Sequence, residues 1–336
     1  MHLLIPFANC NAPECQHALA TLKLPNLDRL LRRLPLAHAD SADETTLSPP
    51  HERAMATAYG IHLPNVTPDG QTPWGAWHAA QAGNAATSAD AWAVITPCHW
   101  TVQTRHITMT HPRTLNLGDE ESRVLLAAMQ PYFAEDGIAL IYDTPTRWLA
   151  RGAVFAGLAT ASPYRVVGGH VDDWLPKAAA AKLLRRLQQE MQMLLYTHPL
   201  TDARAARGLA AVNSFWVSGT GALPPGYAHR INSTASTSQT VTVPNTLRDA
   251  AIQGDWPAWA QAWQQIDSNE CAALLQAIDM KADMKTGPAS NATLTLCGER
   301  SAQTYQAGQN GLTNRFLQRI KGYFVLQPVS SVLSQL

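Results

Sequence analysis

Apolar and polar positions along the chain change period several times, and the changes mark strands alternating with helices. The run His2 to Ala8 (HLLIPFA), closed by Asn9, has the form of a short buried strand. Next, Leu27, Leu30, Leu31 and Leu34 fall on one helical face, with Asn26 as its expected cap. A strand, a loop and then a helix open an α/β domain. Ser48-Pro49-Pro50 predicts a second helix through ERAMATAYGI: Ser caps and Pro presets φ at the first helical position. The turn at Asp69-Gly70 leads into a further helix, PWGAWHAAQAG, whose Trp74 and Trp77 read as core and whose His78 reads as a packing or surface residue.

From Ser88 the texture becomes strand-rich. Ala91 to Pro97 and His99 to Thr110 read as two strands, followed by a helix from Asp119 to Phe133 and a strand from Gly137 to Asp143. The short strand TRWLARG comes next. A long helix, Lys177 to Tyr196, follows with Asp172 and Asp173 near its start and Leu183, Leu184, Leu187, Met191, Leu194 and Leu195 on its buried face. After a loop with two arginines comes a short apolar strand, Ser214 to Val217, and a Gly-rich turn. The Ser/Thr-rich stretch INSTASTSQTV after His229 reads as a polar, mobile loop. Helices at Asn245 to Gln253, Trp256 to Ile266 and Asn269 to Ile278 precede two late strands (ATLTLCG, AQTYQAG) and a last helix, NRFLQRIKG. Trp256, Trp259 and Trp263 recur at i, i+3 and i+7, an apolar helix face.

Composition narrows the function classes. At 336 residues, 46% apolar and 15% charged, the chain can bury one large core or two ordinary ones. Lys+Arg and Asp+Glu both number 25 and no basic stripe stands out, which argues against nucleic acid as the main partner. The apolar start lacks a basic flank and reads as a strand, not a signal peptide, and no run approaches the ~20 residues of a membrane helix, so no membrane partner is expected. Five cysteines at scattered positions fit reduced thiols in the cytoplasm. Cys10 and Cys15 form the only close pair and read as two buried or half-buried thiols. GTGALPPG has neither the Lys-Ser/Thr of a P-loop nor the third Gly of a dinucleotide fingerprint. His99, His106, His111 and His170 are irregularly spaced and define no catalytic order, and Cys98 beside His99 marks no reactive thiol.

The ordered set His198-Pro199, Arg204, Arg207-Gly208, Asn213 and Gly219 resembles a segment of archaeal-type cofactor-independent phosphoglycerate mutases, members of the alkaline-phosphatase superfamily. PNLDRLL (Pro25 to Leu31) is similar to a segment after the first strand of that superfamily, and TLSPPHERAMATAYGI resembles the placement of its nucleophilic Ser at a helix N-terminus. The motifs LSPPHERAMATAYG and LLRRLQQEMQMLLYTHPL also resemble a proteobacterial family labelled phosphoglycerate mutase or pathogenicity regulatory protein. The resemblance implies an alkaline-phosphatase-like three-layer α/β/α core, built from residues 1–90 and 220–336, with an inserted α+β domain at 91–219. It implies Ser48 as the catalytic candidate and His198, Arg204, Arg207 and Asn213 as the ligand-binding candidates. A planar guanidinium suits bidentate capture of carboxylate or phosphate.

The family also uses two divalent metals, held by several Asp and His residues. Here Pro6-Phe7-Ala8-Asn9 stands where the family has Asp-Gly, and no histidine follows His229. Asp249, Asp255, Asp267, Asp279 and Asp283 lack ligand spacing; carboxylates alone hold Mg²⁺ or Ca²⁺ only weakly. Thr201 replaces a family Asn and Ser218 an Arg. The expectation is therefore a mutase-like protein without the two-metal site and with no cofactor, binding a small anionic metabolite in a regulatory role with a possible protein partner. The alternative is an active Mn- or Mg-dependent phosphomutase or phosphatase using Ser48. A purely structural interaction protein would need the tryptophans exposed as a patch.

Overall fold

The computed structural model describes residues 1–63, 66–84, 89–104, 106–179, 181–227, 240–283, 292–307 and 328–336. In chain order the strand β1 (His2–Ile5) precedes α1 (Pro13–Thr21), α2 (Pro25–Arg33), β2 (Leu36–Ser41), α3 (Pro50–Ala58) and α4 (Trp74–Gln81). Then come β3 (Trp92–Cys98), β4 (Trp100–Val102), β5 (Ile107–Met109), α5 (Asp119–Glu135), β6 (Ala139–Thr144) and β7 (Arg147–Arg151). The short α6 (Pro163–Val166) and α7 (Val171–Trp174) lead to α8 (Ala181–Tyr196), α9 (Pro199–Ala205) and β8 (Ser214–Gly221). The chain closes with β9 (Val241–Thr242), α10 (Thr246–Gln253), α11 (Trp256–Ile266), α12 (Ala272–Asp283), β10 (Thr293–Cys297), β11 (Ser301–Gln306) and α13 (Val329–Ser334). Two compact units result: Met1–Glu44 with Pro50–Ala58 and Ala235–Leu336, and Thr45–Pro49 with Tyr59–Thr234.

The first unit carries a sheet in the order β2-β11-β10-β1-β9. β1 runs parallel to β10 and β9, while β11 returns antiparallel and β2 pairs antiparallel at the edge. Alternation splits β1 between two layers. Leu3 and Ile5, with Leu294 and Leu296 of β10, join Leu27, Leu30, Trp259 and Trp263 in the main core. Leu4, Cys297 and Ala302 face the other way, against Ala54 and Met55 of α3. The unit is thus a three-layer α/β/α arrangement, as the sequence leads one to expect.

One helix start is fixed from far along the chain. Asn26 does not cap α2; it lies inside it, after the backbone of Leu24. The carboxylate of Asp267, 4% exposed, accepts the amides of Leu27 (2.7 Å) and Asn26 (3.2 Å), and its backbone carbonyl accepts the Asn26 side-chain amide (3.0 Å). Asp267 opens a π turn, Asp267–Cys271, that joins α11 to α12.

The second unit is built on an antiparallel sheet, β6-β7-β3-β8, beside a β4-β5 hairpin. Every residue of β3 is buried, because helices cover both faces. Ala93 and Ile95 join Phe215 and Val217 of β8 in a core completed by Leu125 and Phe133 of α5 and Leu187 and Met191 of α8. α4 lies against β3 and β8 with Gly75, Ala76 and Ala79 buried, residues small enough to bring the helix onto the backbone.

Several boundaries differ from the expectation. α4 was expected in the core domain of residues 1–90, yet its small-residue face places residues 59–84 with the second unit, which also runs past 219. His99 to Thr110 is a hairpin and not one strand, and Asp172 and Asp173 sit in the separate α7 instead of leading α8. β8 continues past Val217 to Gly221. The Ser/Thr-rich stretch at 231–239 and the expected last helix at 314–322 lie outside the described residues.

Asp267→Ala strips α2 of its cap and leaves buried amides without an acceptor, so the first unit is expected to lose about 2 kcal/mol. Asp255→Ala is the control: it removes one exposed cap contact, to the Ala258 amide at 2.9 Å, and is expected to cost about half that. Urea midpoints of the two variants check the order.

Candidate functional site

The loop leaving β1 is the first place of interest, because open α/β sheets bind ligands beyond the carboxyl ends of parallel strands. Phe7 adopts φ 55°, a left-handed conformation that a bulky residue holds only under external constraint. The constraint is visible. The Trp259 indole donates to the Phe7 carbonyl (3.0 Å) and the Trp263 indole to the Ala8 carbonyl (3.3 Å), while the Ala8 amide donates to Cys297 O (2.8 Å). Gln16 Nε2 grips Asn9 Oδ1 (2.8 Å) and Cys10 O (2.6 Å). The tryptophans of α11 are core, as their spacing predicts, but their N–H groups also clamp this loop. His51, 5% exposed, packs its ring 5.1 Å from that of Phe7.

Ser48 is held in the second unit, in the segment Thr45–Pro49. Asp69 accepts the amides of Leu47 (2.6 Å) and Ser48 (3.0 Å), and Ser48 Oγ accepts the Gly70 amide at 3.3 Å. The Gly70 carbonyl in turn accepts the Thr160 amide (2.9 Å). Ser48 is 6% exposed. Because α3 begins at Pro50, Pro49 takes the position before the helix and Ser48 stands one residue further out, so the expected Ser cap is corrected: both prolines precede or open the helix. The turn Asp69-Gly70 organises Ser48.

The four ligand-binding candidates divide into two kinds. Arg204 is 1% exposed; its guanidinium donates to Ala210 O (2.9 Å), Leu115 O and the Glu121 carboxylate. Asn213 behaves as a piece of strand backbone: Oδ1 accepts the Trp100 amide (2.7 Å) and Nδ2 donates to the Trp100 carbonyl (2.8 Å). These two are consumed internally. Arg207 pairs with the other oxygen of Glu121, yet its side chain stays 54% exposed. His198 caps α9, with Nδ1 accepting the Leu200 amide (3.2 Å), so the neutral ring carries its proton on Nε2 as a remaining donor. The motif glycines follow from geometry. Gly208 takes φ 69° where α9 ends, and a Cβ on Gly219 (φ 61°) would stand 2.7 Å from Trp74 Cβ.

Glu121, the residue joining both arginines, carries no local sequence signal. It sits in the acidic first turn of α5, where DEE reads only as a helix start.

Among the described residues no three His, Cys, Asp or Glu side chains are grouped to hold a metal ion. Asp267 caps α2, Asp255 caps α11, Asp249 pairs with Arg248 and Asp279 with Arg33. His106 and His170 stack at 4.1 Å, and Cys98 is buried with its thiol pushed up by burial. Half of the ten tryptophans (Trp92, Trp148, Trp216, Trp259 and Trp263) are fully buried, so they do not form an exposed patch. No helix among the described residues is long and apolar enough to cross a membrane.

No family model matches the chain, and a search of curated proteins finds no match. Among solved structures it is similar to a cofactor-independent phosphoglycerate mutase from Thermoplasma acidophilum DSM 1728, at 14% identity and TM-score 0.37, over 99% of this chain and 98% of that one. It is also similar to the PH0037 protein from Pyrococcus horikoshii, at 11% identity and TM-score 0.46, over 91% of this chain and 86% of that one.

Glu121→Ala leaves the buried Arg204 charge without its carboxylate and is expected to cost roughly 3 kcal/mol, whereas Arg207→Ala removes only the exposed pair and should cost less than about 1 kcal/mol. Equal losses in denaturant titration would remove the structural role of Arg204. His78 gives a pH dependence. Burial, reinforced by Arg147, lowers its pKa to about 4 from 6.5, so below 6.5 the unfolded chain takes up a proton that the folded one refuses. Stability is expected to fall by about 2 kcal/mol between about pH 7 and pH 5, and His78→Gln should flatten that slope in a pH series of melts.

Proposed function

We propose that the chain is a phosphoglycerate-mutase-like protein of the alkaline-phosphatase type that binds a small phosphorylated or carboxylated molecule, in a regulatory role and without two-metal phosphoryl transfer. One observation carries the reading: two guanidinium groups, Arg204 and Arg207, share the single carboxylate of Glu121. The cluster keeps one net positive charge, and its exposed member is Arg207. Arg204 then positions Glu121 and the end of α9, and Arg207, just beyond that helix, contacts the anion. The sequence departures support the non-catalytic part: Pro6-Phe7-Ala8-Asn9 replaces Asp-Gly and no histidine follows His229. Ser48, bonded through its oxygen to Gly70 and 6% exposed, is poorly placed to attack a phosphoryl group. The cytoplasmic setting inferred from the cysteine pattern agrees with a metabolite ligand.

The test is a thermal-shift titration with inorganic phosphate and with 3-phosphoglycerate. Arg207→Ala is expected to weaken the response at least about tenfold, the loss of one charge-assisted contact, while leaving the unliganded melt close to wild type. No shift with either probe in the wild type overturns the binding role. Elemental analysis after soaking with Mn²⁺, Mg²⁺ and Zn²⁺ addresses the other half. Tightly retained metal, with phosphate-ester hydrolysis abolished by Ser48→Ala, would replace this reading with an active phosphomutase or phosphatase.

A further inference from the structure

One edge of the first unit's sheet has no strand beside it. In the order β2-β11-β10-β1-β9, β2 pairs with β11 on one side, and among the described residues no strand pairs with its other side. Five of its six residues are exposed, and neither proline nor glycine interrupts Leu36–Ser41. The ladder shows which backbone groups face outward. The Ala42 amide donates to Arg300 O (3.2 Å), so Asp40 and His38, two and four positions back, also spend their N–H and C=O on β11. The N–H and C=O of Ala39 and Ser41 therefore point away from the sheet. The register irregularity, between Thr304 and Tyr305, lies at the Leu36 end and leaves positions 38–41 regular. Side chains alternate as well: His38 and Asp40 stand on the face of α3, where Asp40 pairs with Arg53 at 2.8 Å, and the small Ala39 and Ser41 stand on the other.

We propose that β2 pairs with β2 of a second copy of this chain, antiparallel about a two-fold axis at Ala39, joining two five-stranded sheets into one. A contact of this symmetry must be complementary to itself, and charge meets that condition in one register. With the axis at Ala39, the two Ala39 residues exchange both backbone hydrogen bonds. His38 then lies opposite Asp40 of the second copy, twice by symmetry. Those are pairs without backbone hydrogen bonds, where Cα atoms stand about 4.5 Å apart and side chains come closest. An axis at His38 or at Asp40 would instead set two like side chains against each other. The methyl group of Ala39 leaves room at the axis, and Leu36, 54% exposed, is carried toward Ala42 of the second copy.

Sedimentation of the full chain over a concentration series tests the pairing. The wild type is expected to pass from monomer to dimer as concentration rises. Ala39→Pro removes an amide that β11 does not use, so its melt should stay near wild type. Its dimer dissociation constant should rise at least about tenfold, because each dimer loses two backbone hydrogen bonds. His38→Glu sets carboxylates opposite Asp40 and should weaken the dimer, whereas His38→Lys should keep it. Ala39→Cys reports the register directly: mild oxidation should link two copies at position 39. Ser41→Cys, about 14 Å from its symmetry mate in this register, should not link. A wild type that stays monomeric up to its solubility limit overturns the proposal. So does a dimer that Ala39→Pro, still folded, leaves intact, or one that cross-links no better at position 39 than at position 41. Where Ala39→Pro fails to fold, the two cysteine variants decide.

Discussion

The guanidinium of Arg204 carries a full charge into a site that leaves 1% of its side chain exposed, and the second unit is arranged around that fact. A buried charge without partners costs several kcal/mol, so its neighbours are not free to vary in position. Arg204 draws together the Glu121 carboxylate at the start of α5, the Leu115 carbonyl ahead of that helix and the Ala210 carbonyl beyond α9. Three residues beyond Ala210, Asn213 completes the hold by pairing with both backbone groups of Trp100, and its own amide donates to Cys98 O at 3.2 Å. The first unit meets the same requirement with the opposite sign: buried Asp267 is stabilised by the amides that open α2.

This explains which parts of the molecule are readable from sequence. Periodicity depends on neighbours in the chain, so α2, α5, α11 and the buried strands β1 and β3 follow from the spacing of Leu27 with Leu30, Trp259 with Trp263, or the run Trp92 to Ile95. The layered core likewise follows from an apolar strand, a loop and an amphipathic helix. Partnerships across long separations leave no such trace. Asp267 reads as a helical or turn carboxylate, and nothing local says that its acceptors serve amides 240 and 241 positions earlier. Glu121 reads as a favourable first-turn acid. α4 shows the converse, because its two tryptophans suggest a core helix, while its placement depends on the small face of Gly75, Ala76 and Ala79.

The candidate site was legible as a motif and less so as chemistry. Of the four candidates, Arg204 and Arg207 meet on Glu121, while His198 holds the Leu200 amide and Asn213 the backbone of Trp100; a residue type suited to gripping an anion is equally suited to gripping a carboxylate or a carbonyl of its own chain. Burial separates the cases. Where the donors are desolvated and matched, as for Arg204 and Asn213, the side chain is part of the scaffold; where one remains in solvent beside a net positive charge, as for Arg207, recognition stays available. In the proposed binding role, the Glu121 pair that orients Arg207 would lower the ordering cost of anion capture.

The loop after β1 adds a second constraint of a different kind. A left-handed Phe7 costs on the order of 1–3 kcal/mol, and such a conformation persists only where the surroundings outweigh it. Here two indole N–H groups supply that force from a helix whose rings are already core, so the clamp needs no polar side chain brought into the interior. Burial of Trp259 and Trp263 and the strain of Phe7 are therefore one arrangement: the apolar faces of the rings hold α11 to the sheet while their edges hold the loop. Cys10 and Gln16 extend the same hold to α1. The loop after β1 is thus heavily restrained within its unit, by indole N–H groups and by the Gln16 side chain together.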